Sequence, residues 1–348
     1  MARRGNENLL GLTKKDYDGR PTTLCVGCGH NSISSQIVQM AWEIGLEQHN
    51  VIKLSGIGCS SKSPAYFLGA SHGFNALHGR MPSVATGATT VNRKLVAIGV
   101  SGDGDTGSIG LGQFKHMVRR NVPMVYIIEN NGVYGLTKGQ FSATADKGQQ
   151  TKYADGGKIN ELTPIDLCYE ALIGGAGFVA RSFSGDKHQV QELLKAAVHY
   201  EGLAVIDIIS PCVTFNDHET SSKSYAWVKE YKDVINDVSY VAEFDEIQVD
   251  YDAGQTIRVQ MHDGGFITLN KLDDTHDPTD RMSAIRLLEE KQDPHDVLTG
   301  LLYINENNKT SHDLMELPET PLVELGQADL RPSRDALADA MQRIRTTS

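Results

Sequence analysis

Four short, β-branched runs separated by stretches of helical pattern set the strongest limit on how this chain folds. They are Val51-Ile52-Lys53-Leu54, Leu95 to Val100, Met124 to Ile128 and Leu203 to Ile209, each bounded by Gly, Pro, Asn or Ser. Runs this short and this apolar read as strands of a sheet covered on both faces. Between the runs, Ile33, Ile37, Met40, Ala41 and Ile44 recur at helical spacing, with Asn31 or Ser32 placed as the N-cap. Strand alternating with helix predicts an α/β fold with a doubly wound, mostly parallel sheet. Ligands of such sheets sit beyond the carboxyl ends of the strands. The 348 residues, 40% hydrophobic, suffice for one large core and a smaller appendage.

A formal net charge of −11 and the lack of a Lys/Arg run argue against a nucleic-acid partner. The start, Met1 to Glu7, carries the basic pair Arg3-Arg4 but no apolar stretch of the signal-peptide kind. No apolar run has the length to span a bilayer, so a cytoplasmic protein without a membrane partner is expected. From about Ser222 the composition turns more polar and acidic. Leu337, Met341 and Ile344 then share one face of a predicted helix between Ser333 and Arg345. The expected division is an N-terminal arm (1–20), a cofactor- and metal-binding domain (21–221) and a C-terminal extension (222–348) that makes a contact between subunits or a small subdomain.

The chemistry concentrates at strand ends. Gly102-Asp103-Gly104-Asp105 follows the second run directly, and a helical pattern with Ile109, Phe114, Met117 and Val118 comes next. A glycine-rich turn between strand and helix lets backbone N–H groups approach a diphosphate, and an Asp there suits a hard cation that takes oxygen ligands. The third run ends in Glu129-Asn130-Asn131-Gly132-Val133-Tyr134-Gly135, where an Asn oxygen and a backbone carbonyl supply further ligands. Either motif alone is an ordinary turn. Gly-Asp-Gly after one strand and Asn-Asn after the next is similar to the signature of thiamine-diphosphate enzymes. That likeness implies Mg²⁺ held by Asp103, Asn131 and the Val133 carbonyl, with Asp105 and Thr106 lining the diphosphate.

Five cysteines are too few for a disulfide scaffold in a chain of this length. Cys25 and Cys28 share one tight turn, Cys59 lies in Gly56-Ile57-Gly58-Cys59-Ser60-Ser61-Lys62, and Cys212 follows Ser210-Pro211. All are on loops that can converge at one sheet edge. Four thiolates hold either a structural Zn²⁺ or a [4Fe–4S] cluster, and spacing does not separate the two. Next to thiamine chemistry the cluster is favoured, because zinc accepts no electrons. Cys168, in a helical apolar stretch, reads as core.

Taken together, Cys-x-x-Cys, Gly-Ile-Gly-Cys-Ser-Ser-Lys, His78-Gly79-Arg80, Gly-Asp-Gly-Asp, Asn-Asn-x-x-Tyr-Gly-x-Thr-x-Gly-Gln and Pro-Cys-Val-Thr-Phe-Asn resemble the β subunit of 2-oxoacid:ferredoxin oxidoreductases, from Cys25 to Asn216. The resemblance implies a thiamine-diphosphate-binding fold and one [4Fe–4S] cluster on Cys25, Cys28, Cys59 and Cys212. It also implies a cofactor lined by Ile57, Gly58, Cys59, Ser60, Gly102, Asp103, Gly104, Asp105, Thr106, Asn131, Val133, Tyr134 and Gly135. Thr137, Gly139 and Gln140 fall in the family's mobile loop. Lys62 matches a position facing the 2-oxoacid, and His78 and Arg80 either bond cofactor or substrate oxygens or stabilise their turn. His30 and His72 read as structural. The wording of Tyr134 to Ser142 is closer to the 2-oxoglutarate branch than to the pyruvate branch.

The implied reaction is oxidative decarboxylation of a 2-oxoacid to acyl-CoA and CO₂, with electrons passing through the cluster to ferredoxin. Coenzyme A and the 2-oxoacid are the implied substrates, and an α subunit, assembled as (αβ)₂, is the implied partner. No glutamate here carries a motif for activating the thiamine ring, and Glu129 reads as part of a strand end. That acid is therefore expected on the α subunit. Pyruvate or broad 2-oxoacid specificity is one rival reading and a non-redox thiamine decarboxylase subunit another. A zinc-stapled interaction subunit, a third, has no use for the diphosphate motif.

Overall fold

A computed structural model of the chain describes residues 6–150, 158–241, 256–260, 266–271, 276–293 and 295–346. Arg3 and Arg4 and part of the polar tail lie outside them.

The four predicted runs form neighbouring strands of one eight-stranded sheet. Its strands are β1 (Val51–Ser55), β2 (His72–Asn75), β3 (Val96–Gly102), β4 (Met124–Asn130), β5 (Phe178–Phe183), β6 (Leu203–Ile209), β7 (Lys232–Val234) and β8 (Val297–Ile304). They lie in the order β2-β1-β3-β4-β6-β5-β8-β7. The first six run parallel; β8 joins β5 antiparallel and β7 pairs with β8 in parallel. The sheet is thus mostly parallel, and two of its strands come from the chain beyond residue 221.

Alternation along β4 explains why both faces are covered. Val125 and Ile127 pack with helices α1 (Gly29–Glu43) and α5 (Lys187–His199), through Ile33, Ile37, Met40, Leu193 and Leu194. Met124, Tyr126 and Ile128 face α2 (Met81–Thr90), α3 (Leu111–Arg120) and α4 (Leu167–Gly174), through Met81, Phe114, Met117, Leu167 and Leu172. Successive side chains on a strand point oppositely, so a wholly apolar run requires helices on each side.

Two local expectations need correction. The first helix starts at Gly29 with Cys28 as its N-cap residue, ahead of Asn31 and Ser32. Gly29 fits only because it lacks a side chain: a Cβ there would lie 2.5 Å from the Ser210 hydroxyl, and its N–H donates to the Pro211 carbonyl at 3.2 Å. Ile109 is 53% exposed and does not share the apolar face of α3, because a wide π-type turn over Asp105–Ile109 precedes that helix and shifts the phase. The C-terminal helix forms over Arg334–Thr346, with Leu337, Met341 and Ile344 all exposed. A separate three-stranded antiparallel sheet joins Asn236–Val241, Phe266–Lys271 and Thr256–Gln260.

Asn121 ties the core to the later chain. It ends α3 in the left-handed conformation, φ +49°. Its side-chain oxygen accepts from Leu203 N at 2.8 Å, and its amide donates to the Lys309 carbonyl at 3.1 Å. Asn121→Ala adds left-handed strain and leaves a buried N–H unpaired, an expected loss of about 2–4 kcal/mol. Asn121→Gly removes the strain alone and should recover about 1 kcal/mol of that loss. Urea unfolding of both variants measures the difference; equal losses would show that the backbone conformation is not strained.

Candidate active site

The site lies at the carboxyl ends of β1, β3, β4 and β6, four consecutive strands of the sheet. Asp103 leaves β3 with its side chain almost wholly buried, 1% exposed. One carboxylate oxygen accepts from the Ser142 hydroxyl and, at 2.6 Å, from the Thr144 hydroxyl; the other faces Asn131 N at 3.4 Å. Asp105, equally buried, accepts from Gly79 N at 2.8 Å and Ser101 Oγ at 2.9 Å. Among the described residues neither carboxylate forms an ion pair. A buried carboxylate without a cation is costly, and a hard divalent metal fits such oxygen donors. Asn131 and Val133, also buried, lie in the turn beside Asp103, with the Asn131 side-chain oxygen accepting from Val133 N at 3.0 Å.

A diphosphate fits next to them. The Ser60 hydroxyl is buried with no partner among the described residues, and a Cβ on Gly102 would lie 3.2 Å from it. It is a free donor beside glycine backbone, which suits a phosphate oxygen. Gly104 must be glycine, because a Cβ there would meet the Tyr134 ring at 2.5 Å, and the Tyr134 hydroxyl donates to Gly104 O at 2.9 Å. Gly56 is crowded in the same way against the Asp105 carboxylate.

Two of the four loop cysteines flank Gly135. A Cβ on Gly135 would lie 3.5 Å from Cys59 Sγ and 3.6 Å from Cys212 Sγ. Thr214 Oγ1, two residues after Cys212, donates to Cys25 Sγ at 3.5 Å, and Cys28 N donates to the Cys25 carbonyl at 3.2 Å. Burial pushes the Cys28 thiol up to about 12 and Cys59 up to about 11, and it raises Cys212 against backbone N–H groups of Phe215, Thr214 and Asn216 that hydrogen-bond its sulfur. Free thiols here keep their protons, and metal binding has to displace them. Among the described residues no three His, Cys, Asp or Glu side chains are gathered to hold a single metal ion. Cys59 and Cys212 flank the same glycine, and four thiols are the donor set that an iron–sulfur cluster takes. Cys168 is fully buried in the core, as its apolar surroundings predict.

The chain matches the thiamine pyrophosphate enzyme C-terminal, TPP-binding domain model over residues 56–208. The model for the C-terminal part of the pyruvate ferredoxin oxidoreductase β subunit matches over 268–318. A 2-oxoacid:ferredoxin oxidoreductase β subunit of Sulfolobus is 44% identical over 56% of this chain and 64% of its own length. The 2-oxoglutarate synthase subunit KorB of Methanothermobacter thermautotrophicus is 33% identical over 64% of this chain and 76% of its own. A solved 2-oxoglutarate:ferredoxin oxidoreductase from Magnetococcus marinus, with 2-oxoglutarate, coenzyme A and succinyl-CoA bound, superposes with a TM-score of 0.73 at 27% identity, over 95% of this chain and 96% of that one. The chain belongs to the 2-oxoacid:ferredoxin oxidoreductase β-subunit family. The span matched in the Sulfolobus β subunit stays just under two thirds of that protein.

Not every residue picked out by likeness to that family reaches the centre. His78 and Arg80 are exposed, and the turn that carries them touches the motif through the backbone N–H of Gly79. Lys62 is half-buried in the turn after Cys59, where its charge bears on that thiol. The Thr106 hydroxyl is spent on the Tyr126 hydroxyl, 3.0 Å away in the core. Thr137 is exposed and donates to Gln140 Oε1 at 2.6 Å, which keeps that loop folded on itself.

Four residues that the motifs passed over belong to the site. Ser142 and Thr144 hold Asp103. Glu129, read as a mere strand end, is fully buried, accepts from Ser63 Oγ at 3.0 Å and lies 3.6 Å from His30 Nδ1. His30, itself 1% exposed, pairs with Ser210 Oγ at 2.6 Å and stands 3.4 Å from the Asn131 amide. An acid at the end of the apolar run Met124 to Ile128 was the available signal for Glu129.

Burial raises the Glu129 carboxyl well above its usual range, the Ser63 hydroxyl opposing. The folded chain therefore keeps a proton that the unfolded chain sheds near pH 4.3. The stability this group contributes is fully present below that pH and is lost as pH rises towards its folded value. Glu129→Gln, which cannot ionise, is expected to gain on the parent protein between pH 5 and pH 8 in denaturant unfolding. A gap independent of pH would mean that Glu129 is ionised in the fold.

Proposed function

We propose that this chain is the β subunit of a coenzyme A-acylating 2-oxoacid:ferredoxin oxidoreductase acting on 2-oxoglutarate, forming succinyl-CoA and CO₂ and passing electrons through one [4Fe–4S] cluster to ferredoxin. The observation that carries this reading is that the buried, cation-poor Asp103 and the thiols of Cys59 and Cys212 stand on loops at the same end of the sheet, with Cys25 tied to the Cys212 loop through Thr214. A thiamine enzyme without redox chemistry needs only the first.

Asp103, Asn131 and the Val133 carbonyl hold Mg²⁺; Asp105, Ser60 and the backbone from Gly102 to Gly104 surround the diphosphate, and Tyr134 closes over it. Cys25, Cys28, Cys59 and Cys212 ligate the cluster. When bound, thiamine diphosphate supplies the electron sink for decarboxylation. Gly135, between the two centres, keeps the thiols close to the cofactor turn. Lys62, beside Cys59, pairs with a substrate carboxylate. Residues 21–221 carry all these groups, and the extension 222–348 adds β7 and β8 to the sheet and serves contacts within the assembly. Support for 2-oxoglutarate comes from the wording of Tyr134 to Ser142 and from relatives named for that substrate. The acid that activates the thiamine ring belongs to the α subunit, because Glu129, the buried glutamate here, is turned to Ser63 and His30. The complex is (αβ)₂ and cytoplasmic; among the described residues no helix is long and apolar enough to cross a membrane.

Anaerobic copurification with the α subunit should yield a brown complex that bleaches on addition of 2-oxoglutarate with coenzyme A. Bleaching by pyruvate in preference would overturn the substrate, and a colourless, iron-free complex active in air would support the non-redox decarboxylase instead. Asp103→Ala should abolish thiamine diphosphate binding and leave the cluster spectrum intact, whereas Cys59→Ala should lose the cluster. Loss of both centres in either variant would show that they are not separable sites.

A further inference from the structure

We infer that Thr144 is a positioning residue for the metal-binding carboxylate, set in place by a buried polar chain that crosses three strands. The inference rests on the proposed Mg²⁺ role of Asp103.

The Thr144 side chain is 3% exposed and has two acceptors in reach: Asp103 Oδ2 at 2.6 Å and Asn130 Oδ1 at 2.8 Å. A hydroxyl has one proton and can serve only one of them at a time. The Asn130 amide cannot turn round to relieve this, because its nitrogen donates to Asp207 Oδ1 at 3.0 Å and an ionised carboxylate only accepts. Asp207, 2% exposed, is held in turn by Arg181 Nε at 3.2 Å, and Arg181 Nη2 reaches Asp166 Oδ1 at 2.6 Å. Sheet register makes these contacts possible, since Arg181 on β5 lies opposite Asp207 on β6, and β6 lies beside β4, which ends in Asn130. The Arg181 charge holds Asp166 below the usual carboxylate range and works against the burial that raises Asp207.

The arrangement gives the hydroxyl a partner whichever way it points. Towards Asp103 it makes a charge-assisted bond, the stronger of the two, and fixes the carboxylate's rotation. This bond persists when a cation takes up the Asp103 charge, so the cation meets a carboxylate already oriented. Thr144 lies four residues beyond Gln140, so the chain leaving the mobile loop is anchored to the metal carboxylate itself.

The test uses the αβ complex and Mg²⁺ titrated at fixed thiamine diphosphate, with cofactor binding followed by calorimetry and cluster absorbance reporting assembly. Thr144→Val keeps the shape and removes the proton; an apparent Mg²⁺ affinity about 10–100-fold weaker is expected, the range found when partners of metal ligands are lost. Thr144→Ser keeps the hydroxyl and should return the affinity to within a few-fold of the parent. Thr144→Ala serves where valine prevents assembly. Parent-like Mg²⁺ affinity in the valine or alanine variant, or a serine variant as weak as valine, would overturn the inference. Undiminished cofactor binding in Asp103→Ala would instead overturn the Mg²⁺ reading beneath it.

Discussion

A carboxylate buried without a cation is the constraint around which this site is built. Asp103 is nearly inaccessible, and hydrogen bonds from Ser142 and Thr144, with Asn131 N beside it, are its compensation in the protein alone. Hydrogen bonds to a buried charge offset only part of its desolvation, which runs to several kcal/mol. The surroundings are therefore arranged for a charge that arrives from outside. Gly56 and Gly104 are bare so that Asp105 and Tyr134 can close on the turn, and Ser60 keeps a hydroxyl in reserve.

Topology brings the parts together. The loops after β1, β3, β4 and β6 supply Cys59, Asp103, Asn131 and Cys212 respectively, and those strands are immediate neighbours. Parallel strands put all four loops at one end of the sheet. Loop thiols and the Asp103 turn thus come to one end of the sheet although their residues are spread across the chain. The antiparallel β8 and the short β7 lie at the far edge and add width to the sheet without adding a loop to the site.

Much of this was legible before the fold was known, and the exceptions have physical reasons. The central strands are apolar on both faces, so their runs stand out. His72–Asn75 is an exposed edge strand, and Phe178–Phe183 carries Arg181 and Ser182 inward; neither shows a plain apolar run. The helix start at Gly29 depends on close approach to Ser210, far along the chain, and no local signal announces it. Asp103, Asn131 and the loop cysteines stand out in the sequence because glycines and strand ends mark them, and Asp103, Asn131, Cys59 and Cys212 lie on loops at one end of the sheet. Ser142 and Thr144 do not stand out, since a hydroxyl acquires its meaning from a carboxylate some forty residues earlier. His78 and Arg80 are exposed, and in this chain the glycine between them makes the contact with Asp105.

The shared end of the sheet raises a problem that sequence alone did not pose. Asp103, Asp105 and the loop thiols stand at the same end of the sheet, and iron binding would make the thiols anionic. A further buried anion at Glu129 would repel both groups. Burial instead favours the protonated acid, and it lowers His30 to about 4, so that this imidazole is uncharged near neutral pH. Glu129, hydrogen-bonded by Ser63, and His30, hydrogen-bonded with Ser210, lie 3.6 Å apart and form a polar but neutral layer between β4 and the loop after β6. An apolar layer would leave the Asn131 amide without its neighbour His30, and a charged one would raise the cost of loading either centre. Neutral polarity satisfies the cofactor turn and the loop thiols at once.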